Sequence, residues 1–216
     1  EPPEEALKRI DLHRLCRFFA NPARFFLDRR LGITLDEDPA LPDETECFQL
    51  AGLDRYDLGQ TLLAARMAGH DRSALCRSLR ASGVLPHGVP GDLSFKAMSD
   101  GVEEFARRLE PFVGGKELDP LVFELPLADF LLTGTITSLF PDRLVRYRYA
   151  ALKAKDYLNL WLPHLVLNLL SRPGYPRESL LAGLRDSEWC TVTFGTVEQC
   201  REHLETLLRI YWNGFS

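Results

Sequence analysis

Two strand-like runs hold the residues with the clearest chemical potential in this chain: Leu132-Thr133-Gly134-Thr135-Ile136-Thr137 and Leu144-Val145-Arg146-Tyr147-Arg148-Tyr149. The two-residue period of a strand puts Arg146 and Arg148 on one face and Tyr147 and Tyr149 on the other. Arg143, Lys153 and Lys155 extend them into the densest basic cluster of the sequence. Guanidinium groups beside exposed aromatics suit a nucleic-acid strand, with phosphates on the arginines and bases stacked on the rings. The competing chemistry is structural, with the arginines ion-paired to Glu124 or Asp129. A hard divalent cation would need carboxylate oxygens from Glu124, Asp129 or Asp142, and an arginine at a ligand position repels it.

Other reactive constellations do not form. The five histidines are scattered, with no H-x-x-x-H or His-Cys spacing suited to zinc, so no metal site is expected. His164, within an apolar helix, reads as a core histidine with a hydrogen-bonded ring. The five cysteines (Cys16, Cys47, Cys76, Cys190, Cys200) are odd in number and never in C-x-x-C, which fits a reducing compartment. No G-x-x-x-x-G-K-(S/T) loop supports nucleotide triphosphate binding, and no G-x-S-x-G elbow supports a serine nucleophile. No catalytic residue and no cofactor are assigned.

The elements that must position the cluster follow from periodicity. The 216 residues, 45% of them hydrophobic, are enough for one well-buried core or two small ones. A net charge of −5 argues against bulk coating of nucleic acid but permits a local basic stripe. The first part, about residues 1–112, reads as mainly helical. It has a helix around Leu7 to Phe19, a second over Pro22 to Leu31 capped by Asn21 with Phe25, Phe26 and Leu31 inward, helices over Asp54 to Ala68 and Asp71 to Ser82, and one from Asp92 or Ser94 to Phe112. The acidic stretch Asp36 to Glu46 reads as a solvated loop and Gly83 to Gly91 as a linker. From about residue 116 to 216 a sheet-and-helix core is expected. It comprises a three-strand meander (Leu118 to Pro126, Ala128 to Leu139, Arg143 to Ala150), a long helix over Lys153 to Leu170 kinked at Pro163, and strands Ser179 to Leu184 and Trp189 to Phe194. A last helix, introduced by a Thr196/Gln199 capping box, runs to Trp212. The whole is mixed α and β in one domain. No signal peptide or apolar run of about 18 residues points to a membrane. The chain does not begin with Met and stops just after Tyr211-Trp212-Asn213-Gly214-Phe215-Ser216, which reads as a piece of something larger with aromatics available to partners.

The strand pair resembles that of PD-(D/E)XK nucleases, which carry G-x-(I/V)-D on one strand and D/E-x-K on the next. On that likeness Thr137 stands at the metal-binding aspartate, Arg146 at the second carboxylate and Arg148 at the lysine. Phe95 occupies the histidine of a G-x-x-x-H element, and Tyr157 and Trp161 occupy the two slots of Q-x-x-x-Y. Further stretches make the chain resemble the RecC C-terminal domain family, from the gamma subunit of exodeoxyribonuclease V (RecBCD). They are Leu15-Cys16-Arg17-Phe18-Phe19-Ala20-Asn21-Pro22-Ala23-Arg24-Phe25-Phe26-Leu27, Leu53-Asp54-Arg55-Tyr56, Gly83-Val84-Leu85-Pro86-His87-Gly88 and Leu160-Trp161-Leu162-Pro163-His164-Leu165. The resemblance implies a restriction-endonuclease-like (PD-(D/E)XK) core behind an N-terminal helical region, with its nuclease site lost. It also implies RecB and RecD as partners and single- and double-stranded DNA as what the assembly handles during double-strand-break repair. A bacterial cytoplasmic setting with no membrane follows from it, and so does a strand-guiding and scaffolding role without catalysis. Two rivals stand beside it: an active RecB- or AddB-like nuclease using Glu124, Asp129 or Asp142, and a structural domain that meets only protein.

Overall fold

The computed structural model describes residues 8–30, 32, 52–85 and 88–214. The acidic stretch Asp36 to Glu46, Leu31, Cys47 and Phe215 lie outside the described residues. The chain opens on a short strand, β1 (Lys8–Asp11), which sequence periodicity assigns to a helix. Asp11 ends that strand and caps α1 (Leu12–Ala20), its carboxylate accepting from the backbone N–H of His13 and Arg14. Leu12, Leu15 and Phe18 form the buried stripe of α1. Asn21 caps α2 (Pro22–Arg30) as expected, its carboxamide accepting from Arg24 N at 3.0 Å. Phe25 is buried, whereas Phe26 is 37% exposed, so only one of the two phenylalanines faces inward.

Helices α3 (Gly52–Met67) and α4 (Arg72–Ala81) follow. The long α5 (Val89–Val113) starts inside the stretch that reads as a linker, because Pro90 is well placed in a first helical turn. Strands β2 (Leu121–Leu127) and β3 (Phe130–Ile136) make a two-residue hairpin, and β2 buries every second residue. Strand β4 (Arg143–Ala151) is followed by α6 (Ala154–Leu170), β5 (Glu178–Arg185), β6 (Glu188–Phe194) and α7 (Cys200–Asn213). The β5–β6 turn places Asp186 and Ser187 at φ of 50° and 68°, the left-handed pair that matches strand twist in a tight hairpin.

The expected meander does not form. One three-stranded sheet has the order β1-β3-β2, with β1 parallel to β3, and the other has the order β4-β5-β6, with β4 parallel to β5. Between them, beyond the end of β3, Leu139 makes an isolated antiparallel bridge to Leu144 of β4. β4 turns away from β3 because α6 carries the chain over to a parallel partner, a βαβ crossover. Alternate residues of this sheet feed two apolar clusters. Leu144 and Leu181 join a core with α1, α6, α7 and the first sheet, and Val145, Leu180 and Ala182 join one with α3 and α5. α6 runs unbroken through Pro163. The Thr196/Gln199 capping box is not made: Gln199 is the N-cap of α7 and caps with no side-chain hydrogen bond. Tyr211, expected at the surface, is 5% exposed, with edge-on ring contacts to Phe18 and Phe25. Among the described residues no helix is long and apolar enough to cross a membrane.

Candidate functional site

β4 presents Arg146 and Arg148 toward α6, as the two-residue period requires, while Tyr149 lies on the other face against α5, where its hydroxyl leaves no room for a Cβ on Gly101. The two arginines end differently. Arg148 Nη1 donates to both oxygens of Asp156 at 2.7 and 2.9 Å, and its guanidinium sits 5.1 Å from the Tyr56 ring centroid on α3. Both side chains of this pair are largely enclosed, 17% and 11% exposed. Asp156 also accepts from Lys153 N at 2.8 Å, so one carboxylate ties the bulged end of β4 to the first turn of α6. Arg148 Nε is buried with no hydrogen-bond partner among the described residues.

Arg146 donates instead to the Ser138 hydroxyl at 2.9 Å, and among the described residues no carboxylate lies within ion-pair distance. Burial pushes its pKa down, the carboxylate of Glu117 opposing that at longer range. Glu117 is itself hydrogen-bonded to Ser138 N at 2.6 Å. The guanidinium lines a cavity of about 280 Å³ between α1, the end of β3 and α6, which Thr135, His13, Asn159 and Pro163 also border. Cys16 lines it too, with a pKa pushed up to about 12 chiefly by burial, so its thiol is protonated and no thiolate nucleophile is present at neutral pH.

The ion pairs anticipated for Glu124 and Asp129 are not the ones formed. Glu124 binds Arg9 at 2.9 Å on the exposed face of the first sheet, and Asp129 and Asp142 are exposed. The remaining positions disperse. Thr137 is exposed just beyond β3, and Phe95 is buried in the α3–α5 cluster with Arg72 5.8 Å from its ring centroid. Trp161 stacks on His164 at 5.5 Å and meets Phe194 edge-on, while Tyr157 packs against the same core. Arg143 faces Phe112 on α5, 5.5 Å from the ring centroid, so it does not continue the Arg146–Arg148 row. Lys153 and Lys155 are exposed at the start of α6. The structure therefore brings Arg146 and Arg148 together and leaves the other positions apart.

His164 is fully buried, as its apolar helix implies. The Gly195 carbonyl, 2.9 Å from Nε2, can only accept, so Nε2 carries the proton and Nδ1 accepts from the Ser179 hydroxyl at 2.8 Å. Asn168 completes the network by donating to Arg177 O and accepting from Val197 N. This constellation is enclosed and structural.

Residues 7–216 match the family model described as the RecC C-terminal domain. The chain belongs to the RecC C-terminal domain family. It is 32% identical over 212 residues to the RecBCD enzyme subunit RecC of Escherichia coli K12, covering 96% of this chain and 18% of that protein. Against the RecBCD enzyme subunit RecC of Mycolicibacterium smegmatis it is 26% identical over 189 residues, 86% of this chain and 16% of that protein. The chain thus spans less than a fifth of the curated RecC relatives it matches. A crystal structure of SSO0001 covers 72% of each chain at 10% identity and a TM-score of 0.31. Within this RecC-family chain, residue spacing missed Asp156, Ser138, His13 and Asn159. An N3 carboxylate three residues after Lys153 was a readable signal for Asp156, but nothing local foretold that its partner would be Arg148.

Proposed function

We propose that this RecC C-terminal-family chain is a nuclease-like module without catalysis, which guides DNA strands and helps scaffold a RecBCD-type enzyme beside RecB- and RecD-type subunits. The observation that carries the reading is the row of Arg146 and Arg148. At the positions that active nucleases fill with a carboxylate and a lysine, two guanidinium groups face α6, and one of them already holds the nearby carboxylate of Asp156. Positive charge there disfavours Mg²⁺ and suits phosphate. The likeness to PD-(D/E)XK strands supports the same reading, since Gly134 and Ile136 keep their places while the charged positions have changed.

The test has two arms on the purified chain. With Mg²⁺ or Mn²⁺, single- and double-stranded DNA should stay intact, and cleavage that Glu124→Ala abolishes would reject the reading in favour of an active nuclease. Single-stranded DNA should bind with an affinity that falls with salt, each neutralised phosphate contributing about 0.7 to the log–log slope. Absence of DNA binding alongside capture of RecB- or RecD-type subunits would favour a purely protein-binding domain.

A further inference from the structure

Arg146 and Arg148 share a strand face two residues apart, yet only one of them has an anion. Arg148 is matched by Asp156, whereas Arg146 donates a single hydrogen bond to a neutral hydroxyl and otherwise borders the cavity. A largely enclosed cation with no carboxylate at hand is unfavourable unless something negative arrives. Glu117 accepts from the Ser138 N–H and acts on Arg146 only at longer range, without forming an ion pair with it.

We propose that the cavity beside Arg146 is a phosphate site for one nucleotide unit, with the planar guanidinium as the fork that takes two phosphate oxygens. The walls fit that occupant. Exposed Thr135, His13 and Asn159 bring polar groups to the rim. Pro163 has no N–H to give the Asn159 carbonyl one turn earlier, so that carbonyl lacks its ordinary helical donor. Leu12 and Ile136 form the apolar side against which a sugar ring can lie. A volume of about 280 Å³ is at the small end for ligand sites, room for a phosphate and part of its sugar but not for a duplex. The proposal rests on the strand-guiding reading only for the source of the phosphate, a strand backbone or a free nucleotide.

The purified chain in phosphate-free buffer is titrated with inorganic phosphate, thymidine 5′-monophosphate, thymidine and acetate, following the Arg146 Nε–Hε resonance and the melting temperature. Phosphate and the monophosphate should shift that resonance saturably, and thymidine and acetate should not. Arg146→Gln should weaken monophosphate binding at least about tenfold and change the melting temperature without ligand by no more than about 3 °C, since it removes an unmatched charge. Asn159→Asp, at the exposed rim, should weaken binding comparably and serves if the first variant folds poorly. No saturable shift, or equal binding by Arg146→Gln, would overturn the proposal. Acetate as effective as phosphate would also overturn it, in favour of a protein carboxylate. A short oligothymidylate that competes with phosphate supports a DNA strand as the source. One that binds without competing supports a free-nucleotide site and counts against strand guiding there. Oligothymidylate binding while phosphate never reaches Arg146 would sink this site and leave the strand-guiding reading standing.

Discussion

Arg148 and Asp156 are the pair at which a single substitution should be felt most. Both side chains are under one-fifth exposed, and Asp156 would keep only the Lys153 N–H if its arginine were lost. Arg148→Ala is expected to destabilise the chain by about 3 to 5 kcal/mol in urea unfolding, because an uncompensated carboxylate stays buried. Arg148→Lys should recover part of that, keeping the charge but not the stacking over Tyr56. His164 offers a pH test. Burial pushes its pKa below the usual 6.5. The folded ring resists a proton that the unfolded ring accepts, so the associated stability is complete above about pH 6.5 and is lost as pH falls below it. The slope should be at most about 1.4 kcal/mol per pH unit. Chemical denaturation between pH 7.5 and 5 should show this decline, and His164→Gln should flatten it even if the variant is less stable throughout.

At the scale of elements, the glycine of the Leu-Thr-Gly-Thr-Ile run has a packing role. A Cβ at Gly134 would lie 2.9 Å from Leu12 Cβ and 3.3 Å from the Phe123 ring, so glycine lets α1 lie directly on β3. Gly134→Val is expected to cost about 1 to 3 kcal/mol by wedging these elements apart, measured as a fall in the denaturation midpoint, whereas Gly115→Ala, with open space around it, should change little. Much of this level was readable beforehand. The alternation of β2, the helical runs of α3 to α6 and the β5–β6 hairpin follow from residue period and turn chemistry. What escaped is non-local. Lys8-Arg9-Ile10-Asp11 is too short to display a period and is a strand only because β3 lies beside it. β4 has the pattern of a meander strand, but its partner β5 lies beyond a whole helix. The same holds for the site: adjacency of Arg146 and Arg148 is written in their spacing, while Ser138 and Asp156 become their partners only once β4 and α6 are packed.

For the molecule as a whole, the two apolar clusters share one sheet as their common wall, Leu144 facing one and Val145 the other. Such coupling predicts a single cooperative transition despite the helical and sheet-rich halves. Trp161 reports on one cluster and Trp189 on the other. Variants retaining only one of these tryptophans should give coincident melting curves, and transitions separated by more than a few degrees would show that the halves unfold independently.

The parallel pairing of β1 with β3 joins Lys8 to Phe130 across more than a hundred intervening residues, and α1 finds its main partner still later, in α6. A ribosome adding about 5 to 20 residues per second therefore leaves Leu12, Leu15 and Phe18 without their final neighbours for roughly ten to thirty seconds. During that interval the most apolar face of the first helix is open to any chaperone or to a second nascent chain. The rate of productive folding is governed by long-range closure rather than by the readily formed helices between.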